Sequence, residues 1–407
     1  MLVAAASLVA ASLITACETL TVDFVFVAST RAAGANNYGE IDVFEINSES
    51  GRMRQIPTSP FPSEGRNPVA EAVSADDQNL FVVNHDDNTI VQFIIGNDGK
   101  LYPYNTVNTP GIFPLAIATS KSNVFVVDTY QPLPLCSPAD PCSGSIAVYP
   151  LTAATSSTPI GLGTAATNPA VNAQYWPLTL TGANASHVIV PTAVNVSASG
   201  AYVYVTAYDS SVTPSAGYVF GFSVGSGGAL TAVPGSPFAA GIQPSAIASD
   251  AKSAFVYVTD SVRGNVLGYS VSATTGTAGA LTALSGSPYP AGNDPTGVVV
   301  DPSYAYAYVS NSTDATVTAY SMSSTGVLTR INSYATGLQP VAIGIDPSTN
   351  HFLFTVNFLD NTVSDFELST TAGTLLDAQF SPFPTNAQPV AAAAIPHNGT
   401  GGGVGSH

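Results

Sequence analysis

Positive charge is what this chain has least of. Nine Lys and Arg stand among 407 residues against 26 Asp and Glu, a net charge of -17. Nucleic-acid binding needs clustered cations that displace counterions from phosphates, so that class of partner is excluded. An anionic membrane surface is disfavoured on the same ground. Charged residues of both signs make up only 9% of the chain while 45% is apolar. A disordered chain lacks that much material to bury, so 35 Gly and 30 Pro mark turns and not disorder. Long apolar runs are missing beyond Leu2–Ala16, which is itself too short to span a bilayer comfortably. Common catalytic signatures are missing too: no Gly-x-Ser-x-Gly elbow, no His-Glu-x-x-His, no phosphate loop. Gly161-Leu-Gly163-Thr-Ala-Ala matches a dinucleotide fingerprint in form, but it has no strand before it and no helix after it.

Cysteine is scarce, at three. Residues 1–16 read as an export signal, ending in Leu13-Ile-Thr-Ala-Cys17. This resembles a bacterial lipobox, in which the Cys is lipidated and becomes the mature N-terminus. No Lys or Arg precedes the apolar run, and the alternative is an ordinary signal peptide with an incidental Cys. The expected location is therefore the cell envelope, with the membrane reached only through a lipid on Cys17 and residues 17–22 as a tether. An exported chain meets an oxidising compartment, so Cys136 and Cys142 are expected to form a disulfide on a long loop. Zinc is a poor alternative, because no His lies nearby.

What the chain has in plenty is repetition. A paired-strand pattern recurs seven times, for example Asn79-Leu-Phe-Val-Val-Asn-His with Asn88-Thr-Ile-Val-Gln-Phe, and Ala254-Phe-Val-Tyr-Val-Thr-Asp with Asn265-Val-Leu-Gly-Tyr. Each segment is short, β-branched and aromatic, and bounded by Gly, Asn, Asp or Ser, as strands in hairpins are. A Pro-led strand precedes each pair, as in Pro68-Val-Ala-Glu-Ala-Val and Pro340-Val-Ala-Ile-Gly-Ile. A fourth strand follows, as in Gly326-Val-Leu-Thr-Arg-Ile. Four strands per unit, in units of about 45–50 residues, describe a propeller blade. The first unit has no Pro-led strand, and Pro389-Val-Ala-Ala-Ala-Ala-Ile395 supplies one at the far end. The expectation is an all-β, seven-bladed β-propeller over residues 23–396, closed by its C-terminal strand and followed by a Gly-rich tail, 397–407. One unit is long, with 77 residues from Pro114 to Pro191 against 45 from Pro295 to Pro340. Its excess holds the disulfide loop and the only Trp, Trp176, and reads as a partner-contact loop or a tolerated insertion.

Phe255-Val-Tyr-Val-Thr-Asp260 with Asn265-Val-Leu-Gly-Tyr269 resembles the YVTN-type repeat of bacterial surface propellers. The span from Asp23 to Ile395 is similar to the lactonase-like seven-bladed propellers, among them 6-phosphogluconolactonases and a fungal carboxymuconate-lactonizing enzyme. The linkers Ser59-Pro-Phe-Pro, Gly235-Ser-Pro-Phe, Gly286-Ser-Pro-Tyr-Pro and Ser381-Pro-Phe-Pro strengthen the likeness. The resemblance implies the fold and admits a lactonase activity.

Propellers usually bind at one mouth of the channel, where the loops between second and third strands meet the linkers between blades. The second strands end there at Asn84, Asp128, Tyr208-Asp209, Asp260, Asn311 and Asn357. The blade prolines are preceded by Asn67, Gln243, Asp294, Gln339 and Gln388. Read as a ring, these side chains are ligand-binding candidates; read singly, they cap strand ends and turns. Asp260, Asp294 and Asn311 are candidate oxygen ligands for Ca²⁺. For ester hydrolysis, His85 is a candidate base and Arg263 a candidate electrophile, with Arg66 and His187 as further loop candidates.

Two readings follow. One is a non-catalytic envelope module that binds a glycan, peptide or protein partner at its outward mouth. The other is a lactonase-like hydrolase acting on an uncharged lactone, with or without a metal; a phosphorylated substrate fits badly with so few cations. A closed ring leaves no edge that demands a partner, so a monomer is expected.

Overall fold

The structure, a computed structural model, describes residues 21–132, 136, 141–153, 159–302, 305–386 and 388–397. Cys17, the export segment and all but the first residue of the tail lie outside the described residues. What is described is a ring of seven antiparallel sheets. Their innermost strands are Pro68–Val73, Ile112–Thr119, Ile189–Val196, Pro244–Ser249, Pro295–Val300, Pro340–Ile345 and Pro389–Pro396, each packed against the next around a central axis. The last of these pairs with the N-terminal strand Thr21–Ala33, so the first blade is built from both ends of the chain and the ring is shut. Among the described residues the only helical pieces are two 3-10 turns, Gly182–Asn184 and Ser226–Gly228.

The period-2 pattern of the second strands is what makes the ring cohere. In Thr21–Ala33, Phe24 and Phe26 pack on blade 2 while Val25 and Val27 pack on blade 7. Val124 and Val126 likewise face blade 2, and Phe125 and Val127 face blade 4. Every second strand is therefore apolar on both sides, and seven hydrophobic cores fill the seven gaps between blades.

Buried tyrosines add hydrogen bonds across these gaps. The hydroxyls of Tyr204, Tyr257 and Tyr308 donate to the carbonyls of Gly279, Gly326 and Gly373 in the outer turn of the following blade, at 2.9, 2.7 and 3.3 Å. Tyr149, Tyr269 and Tyr320 donate backwards to Asn108, Ala239 and Pro290 at 3.0, 2.6 and 2.7 Å. The Tyr of the repeat is thus a strut between blades. Tyr257→Phe keeps the ring and leaves the Gly326 carbonyl unpaired, so it is expected to cost about 1–2 kcal/mol, read as a lower urea midpoint with an unchanged circular-dichroism spectrum.

The Ser-Pro-aromatic linkers have a mechanical role. Ser59, Ser236, Ser287 and Ser381 each precede a cis proline. Each also accepts, on Oγ, the backbone N–H of the third strand, from Val43, Gly221, Gly268 and Asp365 at 2.8–3.0 Å. The aromatic that follows pairs with the start of the same strand, as Phe61, Phe238, Tyr289 and Phe383 do. Trp176 is the fifth member of this set: Trp176–Pro177 pairs with Ser145 and Ile146, and the indole is buried in the core between blades 3 and 4. The long unit is therefore an ordinary blade with an insertion ahead of its aromatic wedge, and the Trp176 indole is part of the core. Gly161–Leu162 is that blade's short outer strand. Cys136 and Cys142 form the expected disulfide in the loop between its second and third strands.

Candidate functional site

The loops between second and third strands and the linkers between blades converge on one mouth, and the N-terminal strand starts on the opposite face. At the mouth every blade repeats one device. The inner strand carries a β-bulge at its proline, in all seven blades. The residue before that proline lends its carbonyl to the second strand's exit: His85 N–H donates to Asn67, Ser261 to Gln243, Ser312 to Asp294 and Phe358 to Gln339, at 2.8–3.1 Å.

The strand-end side chains turn inward. Asn84, Asp128, Asp209, Asp260, Asn311 and Asn357 are all essentially buried. Asp128 accepts the Gly111 N–H at 3.2 Å and Asn311 that of Gly292 at 2.9 Å. Asp260 accepts three backbone N–H groups, from Ile242, Gln243 and Arg263. Asn357 donates to Thr362 and Ser364, and Asn84 to the Ser63 carbonyl. The linker motif Gly-x-x-Pro explains the close fit: Gly65, Gly111, Gly241, Gly292 and Gly337 each pass so near the strand-end residue that a Cβ would collide with it. Gly241 also sits at φ 75°, so Gly241→Ala meets both a clash and a disfavoured backbone. It is expected to cost about 2–4 kcal/mol in a denaturant titration.

The strand-end ring therefore braces the mouth from inside. Asp260 and Asn311, two of the Ca²⁺ candidates, spend their oxygens on backbone donors, and Asp294 takes a left-handed backbone before its proline at φ 54°. Among the described residues no group of three His, Cys, Asp or Glu is placed to hold a metal. What the mouth shows to solvent is the next layer: Asn67, Gln243, Asp294, Gln339 and Tyr208 are half-buried, and Gln388 and Arg263 are exposed. Arg66 is exposed but committed, with Nε on Asp87 Oδ1 at 2.7 Å and its backbone N–H on Asp87 Oδ2 at 2.7 Å.

Blade 4 breaks the pattern. Its linker has Val188 where five others have glycine, and the residue before it is His187. The residue opposite its inner-strand proline is Ala207, where blade 5 has Asp260, and the carboxylate Asp209 comes two residues later. Asp209 receives a side chain and not the linker backbone: His187 Nδ1 lies 2.6 Å from Asp209 Oδ2, while Asp209 Oδ1 accepts the Ser211 N–H at 2.8 Å. Asp209 is 2% exposed at its side chain and His187 24%. Ser143, next to the disulfide loop, donates its hydroxyl to the His187 carbonyl and accepts the Ile189 N–H, which holds the linker in place. A carboxylate fixed from behind favours the imidazole tautomer with its proton on Nδ1, which leaves Nε2 bare. The other candidate base, His85, pairs with Asp86 at 2.7 Å, but that carboxylate is itself 47% exposed and orients the ring less firmly. The missing linker glycine is the signal in the sequence that separates His187 from the other loop histidine.

The family model for the lactonase seven-bladed β-propeller matches residues 35–156 and 215–388. No curated protein matches. Among solved structures, a candidate 6-phosphogluconolactonase from Bacteroides fragilis is 19% identical with a TM-score of 0.69, over 93% of this chain and 99% of its own. A second from Bacteroides uniformis is 18% identical with a TM-score of 0.70, covering 92% and 99%. A periplasmic gluconolactonase from Pseudomonas aeruginosa is 16% identical with a TM-score of 0.68, again covering 92% and 99%. These identities speak for the shared fold alone. The family match spans well over half of the sequence, and the chain belongs to the lactonase seven-bladed β-propeller family.

Proposed function

We propose that the mouth beside blade 4 hydrolyses an uncharged lactone, with His187 as the general base. The observation that carries this is the buried Asp209 carboxylate held 2.6 Å from Nδ1 of a partly exposed imidazole. A water on the mouth side gives a proton to Nε2 and its oxygen attacks the lactone carbonyl. Asp209 stabilises the imidazolium that results, and the ring oxygen leaves with a proton returned from His187. Family membership supports ester chemistry on this scaffold, and the small number of cations argues against an anionic substrate. Of the nine Lys and Arg, only Arg31, Arg66 and Arg263 lie in mouth loops, and Arg66 is tied to Asp87.

Glycan, peptide or protein binding without turnover is the second reading. It is favoured by three large apolar side chains, Val262, Leu338 and Leu359, that stand 55–61% exposed in the mouth loops. We place either activity in the cell envelope, with the lipid on Cys17 at the face opposite the mouth; antibodies to the mouth loops that failed to label intact cells or exposed envelopes would reverse that orientation. The deciding assay is turnover of a panel of uncharged lactones by protein lacking Cys17, with and without chelator. Turnover that His187→Ala abolishes supports the hydrolase. Silence across the panel from folded protein leaves the binding module.

A further inference from the structure

A second feature of the mouth lies one blade away from the His187–Asp209 pair. The position before the inner-strand proline holds Asn67, Gln243, Asp294, Gln339 and Gln388 in five blades, Val190 in blade 4 and Phe113 in blade 3. Phe113 sits at φ 57°, a left-handed backbone that a bulky residue rarely takes. Two side chains hold it there: Asn88 Oδ1 accepts its N–H and the Thr129 hydroxyl donates to its carbonyl, each at 2.7 Å. The His85 ring lies flat on the Phe113 ring, with centroids 4.5 Å apart and 4° between planes. Tyr130 meets Phe113 edge-on at 6.3 Å. All three are only partly buried, so an aromatic ledge stands at the mouth, on the left-handed backbone that Asn67, Asp294, Gln339 and Gln388 also take at this position. Two hydrogen bonds link the ledge's neighbour to the dyad: Gln131 N–H donates to the Ser143 carbonyl, and the Ser143 hydroxyl donates to the His187 carbonyl.

The ground beside the ledge is acidic. Asp86 and Asp87 stand there with only Arg66 to balance them. Burial alone would raise Asp86, but hydrogen bonds from His85 and Asn67 and the charge of Arg66 outweigh it and hold the carboxyl below its usual range. A phosphate or carboxylate ligand meets repulsion at this place.

The geometry points to the His85–Phe113–Tyr130 ledge as the subsite that takes the flat face of an uncharged ring, and to the carboxylates beside it as the groups that reject the phosphorylated counterpart. This rests on the lactonase reading for the identity of the ring, though not for its binding. Stacking of a ring face on an aromatic needs no cation and suits a site with so few.

The probe is the six-membered lactam of gluconic acid, a hydrolysis-resistant uncharged ring, with its 6-phosphate as comparator. Both are titrated into the protein by calorimetry and saturation-transfer NMR. The expected result is binding of the uncharged lactam, weakened about tenfold by Tyr130→Ala and by Phe113→Ala, with the phosphate bound more weakly than the parent. Tyr130→Leu serves as a second variant if Phe113→Ala loses its fold. No lactam binding, binding that ignores these substitutions, or tighter binding of the phosphate would overturn the assignment. Ledge-dependent binding in a protein that turns over no lactone would remove the hydrolase reading and keep the ledge. Turnover with KM unmoved by the ledge substitutions would do the reverse.

Discussion

Asp209→Asn is expected to lower kcat for lactone hydrolysis by about 10²- to 10³-fold while the protein keeps its fold. The reason is tautomeric. Ser211 N–H already donates to Oδ1 of Asp209, so the asparagine oxygen stays on that side and its amide NH₂ faces His187. An NH₂ opposite Nδ1 selects the imidazole with its proton on Nε2, the atom that must be bare to act as a base. His187→Ala should cost as much, and the double substitution little more, because the two groups act as one unit. A structural role alone would change stability and the tautomer and leave kcat in place. The decisive readouts are therefore kcat together with ¹⁵N shifts of the imidazole. Turnover within twofold of the parent, or an unchanged Nδ1–H tautomer, would remove His187 from the mechanism.

Seven repeats of one apolar pattern are legible because each blade buries both faces of its second strand, and no other architecture asks for Phe24–Phe26 on one neighbour and Val25–Val27 on the other. Ring closure is legible too, since Pro389–Pro396 has no partner of its own in sequence order and the first blade lacks an inner strand. Site residues are harder to read. Asn and Asp at strand ends carry the same letters whether they face solvent or the interior, and here the linker glycines pull them inward. The informative positions are among those that break the repeat: Val188 in place of glycine, as Asn386 also is in blade 1, and Phe113 in place of a polar residue, as Val190 also is in blade 4. Both are visible in the sequence once the blades are aligned to each other. Neither draws notice while the mouth is read as a ring of equivalent polar groups. Trp176 eluded the sequence for the opposite reason, because the insertion ahead of it hides its equivalence to Phe61 and Phe238.

Stability should fall as the pH rises from about 4 to 9, with Asp23 among the main contributors beside the fully buried Asp365, whose carboxyl burial also raises. The Asp23 carboxyl is fully buried at the seam where the two chain ends meet, and Ser348 donates to its Oδ1 at 2.5 Å. Burial, reinforced by the nearby Asp346 charge, pushes it up from 3.8 to about 8. Burial likewise raises Glu71 to about 8, Asp128 to about 7 and Asp42 to about 6. A carboxyl raised in the folded state binds a proton more tightly there than in the unfolded chain. Its contribution is complete below pH 3.8, shrinks as the unfolded chain ionises, and is gone once the pH passes the folded value. At about 1.4 kcal/mol per unit, Asp23 contributes on the order of 5 kcal/mol across that window. Asp23→Asn mimics the protonated form, since its oxygen still accepts from Ser348 and its amide can donate toward Asp346. It should flatten the profile, leaving the variant more stable than the parent at pH 9 and close to it at pH 5. Denaturant midpoints at pH 5, 7 and 9 measure this directly. A parent protein as stable at pH 9 as at pH 5 would mean that these carboxyls are ionised in the folded ring. The seam would then hold a buried negative charge close to that of Asp346, whereas the protonated form requires only a single hydrogen bond toward Asp346.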